Sequence, residues 1–235
     1  EEFQVSVNTI RRDLDALVQE GAVKKVYGGV VAAGRTEDAS TPLTRELMDF
    51  QVRNRECLNE KQKIGRKAAE FVQHGDTIFL DSGSTTLQMI PYLAEKKNVT
   101  IITYSIPAIA ELVNYPQIHT IALPGVVLGR TASLVGHATC VALAQFNCVK
   151  AFMGCTGLSL SRQLTNATFE EFEVKQVALQ HSKLHYLLAD HEKFDHAALM
   201  TYGEIGAMDY LITDQLPTEA YQQYFDEQQV TVILT

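Results

Sequence analysis

From Thr77 to the C-terminus, short apolar runs alternate with longer amphipathic stretches, and this alternation narrows the possible folds more than any other feature. Apolar runs long enough for strands occur at Thr77 to Leu80, Val99 to Thr103, His119 to Leu123, Val149 to Met153, His185 to Ala189, Tyr210 to Thr213 and Val230 to Leu234. Helical spacing falls between them, near Pro107 to Asn114, Leu134 to Phe146, Phe169 to His181 and Thr218 to Gln228. Repeated strand–helix–strand units connect by crossovers, so the expectation is an α/β fold with a mostly parallel sheet and helices on both faces. In such folds ligands collect outside the carboxyl ends of the strands. That rule gathers Asp81 to Thr86, Tyr104-Ser105, Pro124-Gly125, Gly154 to Gly157 and Asp190 to Lys193 on one rim.

The first strand of the series is the most informative. Ile78-Phe79-Leu80 is uninterrupted and apolar, as a strand covered on both faces requires. Asp81-Ser82-Gly83 breaks it, and Leu87, Ile90 and Leu93 resume at helical spacing, which puts Ser84, Thr85 and Thr86 on a first helical turn. Free N–H groups there, with hydroxyls beside them, suit an anion such as a phosphate. An N-cap turn that binds nothing has the same composition.

Upstream the chain changes character. Ser6 to Leu17 reads as a helix capped by Ser6 and ended by Gly21, with Ile10, Leu14 and Leu17 on one face. Ala22 to Val31 reads as a small β-ribbon carrying Lys24 and Lys25. A helix with a polar N-terminal half followed by a basic ribbon is the second half of a winged helix-turn-helix, and also the pattern of a solvated helix and hairpin. Residues 32–42 are small and polar, a linker, and Leu43 to Asn59 reads as a connecting helix. Lys61 to His74 is more clearly amphipathic. The expected division is residues 1–31, a partial winged helix-turn-helix; 32–59, linker and connecting helix; and 60–235, the α/β body with a Rossmann-like sheet.

Charge and cysteine usage exclude several classes. The net charge of −8 argues against non-specific coating of nucleic acid, and residues 1–31 carry four basic against five acidic residues, so any DNA contact must depend on placement. Cys57, Cys140, Cys148 and Cys155 are irregularly spaced with no C-x-x-C, which indicates reduced thiols and no zinc site. Only His181 and His185 among the clustered histidines have i, i+4 spacing, with a helix-to-strand break between them, so no metal or other cofactor is expected. No apolar run is long enough to span a bilayer, and no signal peptide is visible at Glu1-Glu2-Phe3-Gln4, so a cytoplasmic location is expected.

The string Phe3-x-Val5-Ser6-x-x-Thr9-Ile10-Arg11-Arg12-Asp13-Leu14, followed by Gly21-x-Val23-x-Lys25-x-Tyr27-Gly28-Gly29, closely resembles the DNA-binding signature of the DeoR family of bacterial transcriptional regulators. The resemblance implies operator DNA as a partner, with Ser6, Thr9, Arg11 and Arg12 on a recognition helix and Lys25 and Tyr27 on the wing. In that family further helices precede these, so the module is expected to be incomplete at its N-terminal side.

The resemblance continues through Asp81 to Thr86, Thr103-x-Ser105, Gly136, Phe152-x-Gly154-x-x-Gly157, Leu164-Thr165, Glu171-x-x-Val174-Lys175, Leu188-Ala189-Asp190-x-x-Lys193-Phe194 and Leu211 to Asp214. These are similar to the effector domain of DeoR-type regulators, which looks like ribose-5-phosphate isomerase and the CoA-transferase fold. It implies a homo-oligomeric repressor of a sugar-utilisation operon that senses a phosphorylated sugar or sugar alcohol. The ligand residues implied are Asp81, Ser82, Gly83, Ser84, Thr85, Thr86, Ser105, Gly125, Gly154, Glu171, Lys175 and Lys193. Lys193 would act as a point charge on the phosphate. Asp81 would accept from sugar hydroxyls or hold its own turn, while Glu171 and Lys175 would face the pocket or pair with each other along their helix.

Four positions depart from the family pattern: Tyr104 stands for asparagine, Val126 for glycine, Gln163 for glycine and Glu192 for serine. Tyr104 is expected to add bulk at the rim and Glu192 a negative charge beside Lys193, and Tyr104 with Val126 leaves a third reading, a sensor without a pocket that acts by constitutive oligomerisation. The alternative function is a sugar-phosphate isomerase-like enzyme, with Asp81, Asp190 or Glu171 as general base. Residues 3–31 fit DNA reading and not enzymology, which favours a regulator with no catalytic residues.

Overall fold

The computed structural model describes residues 16–17, 23–26, 29–32 and 48–235, in two compact units divided between Thr41 and Pro42. In the first unit Ala16 and Leu17 are helical, and β1 (Val23–Val26) pairs antiparallel with β2 (Gly29–Ala32), Lys25 standing opposite Val30. This is the ribbon expected from the alternating pattern. Ser6, Thr9, Arg11, Arg12 and Tyr27 lie outside the described residues, as does the linker from residue 33.

The first described elements of the second unit are one helical turn, α1 (Phe50–Arg53), and a longer helix, α2 (Leu58–Glu70). The single connecting helix expected up to Asn59 is broken instead at Cys57, whose φ of 45° is left-handed and stops α1 from running into α2. β3 (Thr77–Leu80) follows, then a one-turn α3 (Ser84–Leu87), a 3-10 turn at Ile90–Leu93, β4 (Thr100–Thr103), α4 (Ile106–Leu112) and β5 (His119–Ala122). α2 packs directly on the α3 segment because Gly65 has no side chain: a Cβ there would stand 2.6 Å from the Gln88 carbonyl carbon.

A hairpin of β6 (Val126–Leu128) and β7 (Ser133–Val135) leads into α5 (His137–Leu143). The helix expected from Leu134 therefore starts later. Leu134 belongs to β7 and donates its N–H to the Tyr104 carbonyl at 2.8 Å, and Gly136, at φ 105°, makes the turn between strand and helix. The remaining elements are β8 (Cys148–Met153), β9 (Gly157–Ser159), β10 (Gln163–Asn166), α6 (Phe169–Gln180), β11 (Ser182–Leu188), β12 (Met200–Gly203), β13 (Tyr210–Thr213), α7 (Glu219–Glu227) and β14 (Thr231–Leu234).

Seven strands form one parallel sheet in the order β14-β13-β11-β8-β3-β4-β5. Alternate residues sort its faces. Ile78, Leu80, Ile101, Phe152, Tyr186 and Ile212 join Ile64, Ala68, Met89 and Leu112 in one core, while Phe79, Ile102, Ala151, Met153, Leu187 and Leu211 join Leu143, Val174, Ala178 and Phe225 in the other. Both faces are dry, which is why the strands read as unbroken apolar runs. A second, antiparallel sheet, β12-β10-β9, lies outside the sequence reading. Within it Gln163 occupies a left-handed φ of 61°, the conformation that the glycine of the family pattern adopts without strain.

Candidate functional site

The strand order reverses between β3 and β8. The chain runs outward from β3 through β4 to β5 and then returns to the other side of β3, leaving a crevice above the carboxyl ends of the two central strands. Asp81 follows β3 there and Gly154 follows β8, and the two meet: the Gly154 N–H donates to Asp81 Oδ2 at 2.8 Å.

Asp81 is buried and accepts from three donors. Tyr104 donates its hydroxyl to Oδ1 at 2.5 Å, and the Lys175 ammonium contacts Oδ2 while also donating to the Gly154 carbonyl at 2.8 Å. Lys175 stands 4.9 Å from the centre of the Tyr202 ring, and the Tyr202 hydroxyl donates to the same Gly154 carbonyl at 3.0 Å. Burial pushes the Asp81 carboxyl up, but Lys175, Tyr104 and Gly154 outweigh it and hold it below the usual carboxylate value. Tyr104 is thus not at the rim. It is fully buried, stacked on Phe79 with ring centroids 5.9 Å apart, so its bulk fills core.

Glu171 is the second buried carboxylate. Its Oε1 accepts from Ser82 Oγ at 2.6 Å and Ser133 Oγ at 3.4 Å, and its Oε2 from Asn166 Nδ2 at 3.0 Å and Thr168 Oγ1 at 3.3 Å. Thr168 caps α6 by accepting from the Glu171 N–H. The intrahelical Glu171–Lys175 pair offered by the spacing does not form, because both side chains lie on the buried face of α6 and each finds partners across the crevice.

These groups line a cleft that is open to solvent. It brings together nine of the residues expected from sequence: Asp81, Ser82, Gly83, Ser84, Thr85, Gly154, Glu171, Lys175 and Lys193. Ser84 and Thr85 make no side-chain hydrogen bond among the described residues, and Lys193, at the end of a 3-10 turn (His191–Lys193), lines the same cleft. Three expected residues are elsewhere. The Thr86 hydroxyl donates to the Asp81 and Gly83 carbonyls, Ser105 caps α4 by accepting from the Ala108 N–H, and Gly125 is packed so closely that a Cβ would meet Thr139 Oγ1 at 2.4 Å. The structure adds Met48, Arg53, Cys155, Thr156 and Asn166 to the lining. Cys155 and Thr156 fall inside the Gly154 to Gly157 rim segment, whereas no spacing marked Met48 or Arg53.

The histidine rings have other partners: His191 Nδ1 pairs with Asp214 Oδ2 at 2.6 Å, and both ring nitrogens of His185 meet backbone carbonyls. Cys57, Asp190 and Glu192 approach one another, but Lys61 and Lys193 stand 4.0 and 3.9 Å from Asp190 and already supply positive charge there. Burial, then Asp190 and Glu192, pushes the Cys57 thiol up to about 11, the opposite of what a thiolate ligand needs. Among the described residues no helix is long and apolar enough to cross a membrane.

Comparison with known proteins bears on this arrangement. Residues 56–215 match the DeoR C terminal sensor domain, and residues 1–36 match the DeoR-like helix-turn-helix domain. The HTH-type transcriptional regulator IolR of Bacillus subtilis is 36% identical over 232 residues, covering 99% of this chain and 89% of its own. The HTH-type transcriptional repressor GlcR of the same organism is 31% identical over 99% of this chain and 86% of its own. The glycerol-3-phosphate regulon repressor of Escherichia coli is 27% identical over 100% of this chain and 89% of its own. Among solved structures, a D-ribose-5-phosphate isomerase in complex with phospho-erythronic acid aligns over 57% of this chain and 53% of its own, at 18% identity and a TM-score of 0.42, a distant likeness from which nothing about activity follows. With both of its characteristic domains matched in order, the chain belongs to the DeoR family of DNA-binding transcriptional regulators.

Proposed function

We propose that this regulator is a cytoplasmic, homo-oligomeric repressor of a sugar-utilisation operon, and that the cleft above β3 and β8 senses a phosphorylated sugar or sugar alcohol. One observation carries the reading: a lysine, Lys193, lines the same cleft as two hydroxyls without partners among the described residues, Ser84 and Thr85. A phosphate monoester is the ligand whose charge and acceptor oxygens match both sides. The name of one relative, glycerol-3-phosphate regulon repressor, points to the same class. Asp81, Glu171 and Lys175 then shape the floor, and operator DNA is read by the N-terminal module through Ser6, Thr9, Arg11, Arg12, Lys25 and Tyr27.

The way the carboxylates are used supports a reading of binding without turnover. A general base needs a free lone pair beside the substrate. Glu171 accepts from four donors, Asp81 accepts from three and is held a weak base by the Lys175 ammonium, and the Asp190 oxygen without a hydrogen bond lies between two lysines.

Calorimetric titration of phosphorylated and unphosphorylated sugars into wild type and Lys193→Ala tests the reading. The variant is expected to bind the phosphorylated ligand about 10- to 150-fold more weakly and the unphosphorylated one equally. Equal weakening of both would reassign Lys193 to structure. Proton exchange from bound sugar into water that depends on the protein and disappears in Asp81→Asn would make it an enzyme.

A further inference from the structure

Three cations line the cleft, and they are not equivalent. Lys175 is already engaged by Asp81 and the Gly154 carbonyl. Lys193 stands 3.9 Å from Asp190 Oδ2, beyond hydrogen-bond distance. The third, Arg53, comes from α1, the turn nearest the boundary between the two units. Its Nε donates to the Met48 carbonyl at 3.1 Å and its guanidinium carbon lies 5.5 Å from the centre of the Phe50 ring, while its terminal nitrogens have no hydrogen bond or ion pair among the described residues.

The backbone of Arg53 is fixed from below. Its carbonyl accepts from Lys61 Nζ at 2.5 Å, and the ammonium of that buried lysine is 4.0 Å from Asp190 Oδ2, the same oxygen that Lys193 approaches. That oxygen is buried and accepts no hydrogen bond. Asp190 therefore holds two lysines at once, one on the cleft and one under α1. The other end of α1 is tied to the β6–β7 hairpin, where the Phe50 N–H donates to the Arg130 carbonyl at 3.0 Å.

We propose that Arg53 is an anion-binding residue of the cleft, and that a phosphate held between Arg53 and Lys193 restrains the segment leading from the DNA-binding module into the sensor. The proposal rests on the sugar-phosphate reading above and assigns that reading a route by which occupancy reaches the rest of the chain. A guanidinium offers paired donors to phosphate oxygens, and one already oriented by Met48, Phe50 and Lys61 loses little freedom on binding. A ligand biases a conformational equilibrium only through contacts that differ between states. Arg53 is such a contact because it is the charged cleft residue of the connecting segment, to which Met48 also belongs, whereas the remaining cleft residues follow β3, β8 and β11, end β10 or project from α6.

The test uses the full chain with a panel of triose, pentose and hexose phosphates, their unphosphorylated counterparts and inorganic phosphate. Titrations of wild type, Arg53→Ala and Arg53→Lys are paired with amide hydrogen exchange at residues 48–61. For the phosphorylated ligand that wild type binds, Arg53→Ala is expected to lose about 10- to 100-fold in affinity, Arg53→Lys to lose less, and the unphosphorylated sugar to be indifferent. Ligand should slow exchange in α1 of wild type and not of Arg53→Ala. Affinity within twofold of wild type in both variants, or slowing that persists in Arg53→Ala, overturns the role of Arg53 while leaving the sugar-phosphate reading intact. A wild type that binds nothing on the panel removes that reading and this inference with it.

Discussion

Lys175→Met removes one member of a buried ion pair and leaves the other in place. Asp81 is 1% exposed, and in the variant its Oδ2 keeps only the Gly154 N–H while its charge loses the adjacent ammonium. Breaking a buried pair from one side costs about 3–5 kcal/mol, because the remaining charge is still desolvated. At about 2–4 °C per kcal/mol for a chain of this length, that is a fall of about 6–20 °C in Tm. Asp81→Asn combined with Lys175→Met removes both charges, keeps the side-chain shapes near native, and should recover at least half of the loss. Urea unfolding followed by circular dichroism, run as a double-mutant cycle, measures both quantities. The pair also predicts acid sensitivity. Because the Asp81 carboxyl is held low, its contribution is fully present above the unfolded value of about 3.9 and is lost as pH falls through the folded one. Wild type should therefore lose stability more steeply in acid than the double variant. A cost below about 1 kcal/mol for Lys175→Met, against the 3–5 expected, or a double variant as unstable as the sum of the singles, would refute the account of the cleft floor.

Three further outcomes are expected. Tyr104→Phe retains the stack on Phe79 but removes the hydroxyl donated to Asp81, so it should cost about 1.5–3 kcal/mol, the range for a hydrogen bond to a charged group, in the same urea assay. At Gln163, left-handed at φ 61°, alanine keeps the strained backbone and loses the side-chain bonds to Leu160, Ile205 and Tyr224, whereas glycine loses the bonds but relieves about 1–2 kcal/mol of strain; thermal unfolding should rank Gln163→Gly above Gln163→Ala. The His191 imidazole is lowered by burial but raised more by Asp214, so its pair stabilises below about pH 6.5 and fades as pH rises through the folded value; the effect is small because the ring is 37% exposed, and NMR titration should show the shift abolished in Asp214→Asn.

What the sequence made legible follows from which constraints are local. A parallel strand dry on both faces must be apolar at every position, so Ile78-Phe79-Leu80 and Tyr210 to Thr213 announced themselves, the latter to the residue. The β9, β10 and β12 strands carry polar residues such as Thr165 and Asn166, whose hydrogen bonds reach other segments, and they leave no apolar run to find. Leu134 failed as a helix start for a related reason: its apolar side chain fits either period, and the turn at Gly136 decides.

The site divides along the same line. The rim rule located Asp81 and Gly154 because strand ends are visible in a sequence, but it could not assign partners. Lys175 is four residues from Glu171 and 94 from Asp81, yet it pairs with Asp81. The nearer pair would form on any exposed helix, where it contributes only about 0.2–0.5 kcal/mol. On a buried face that small preference is overridden, since an unpaired carboxylate at Asp81 would cost several times more. Glu171, relieved of the lysine, is satisfied by four neutral donors from three different segments. Arg53 shows the converse case. It sits in a charged stretch where any arginine reads as solvated, and what distinguishes it is the carbonyl bond from Lys61, eight residues on, whose ammonium lies near a carboxylate after β11. Burial thus turns ordinary-looking charges into specific ones, because a buried ion must find its partner wherever the fold brings one, and sequence separation has no bearing on where that is.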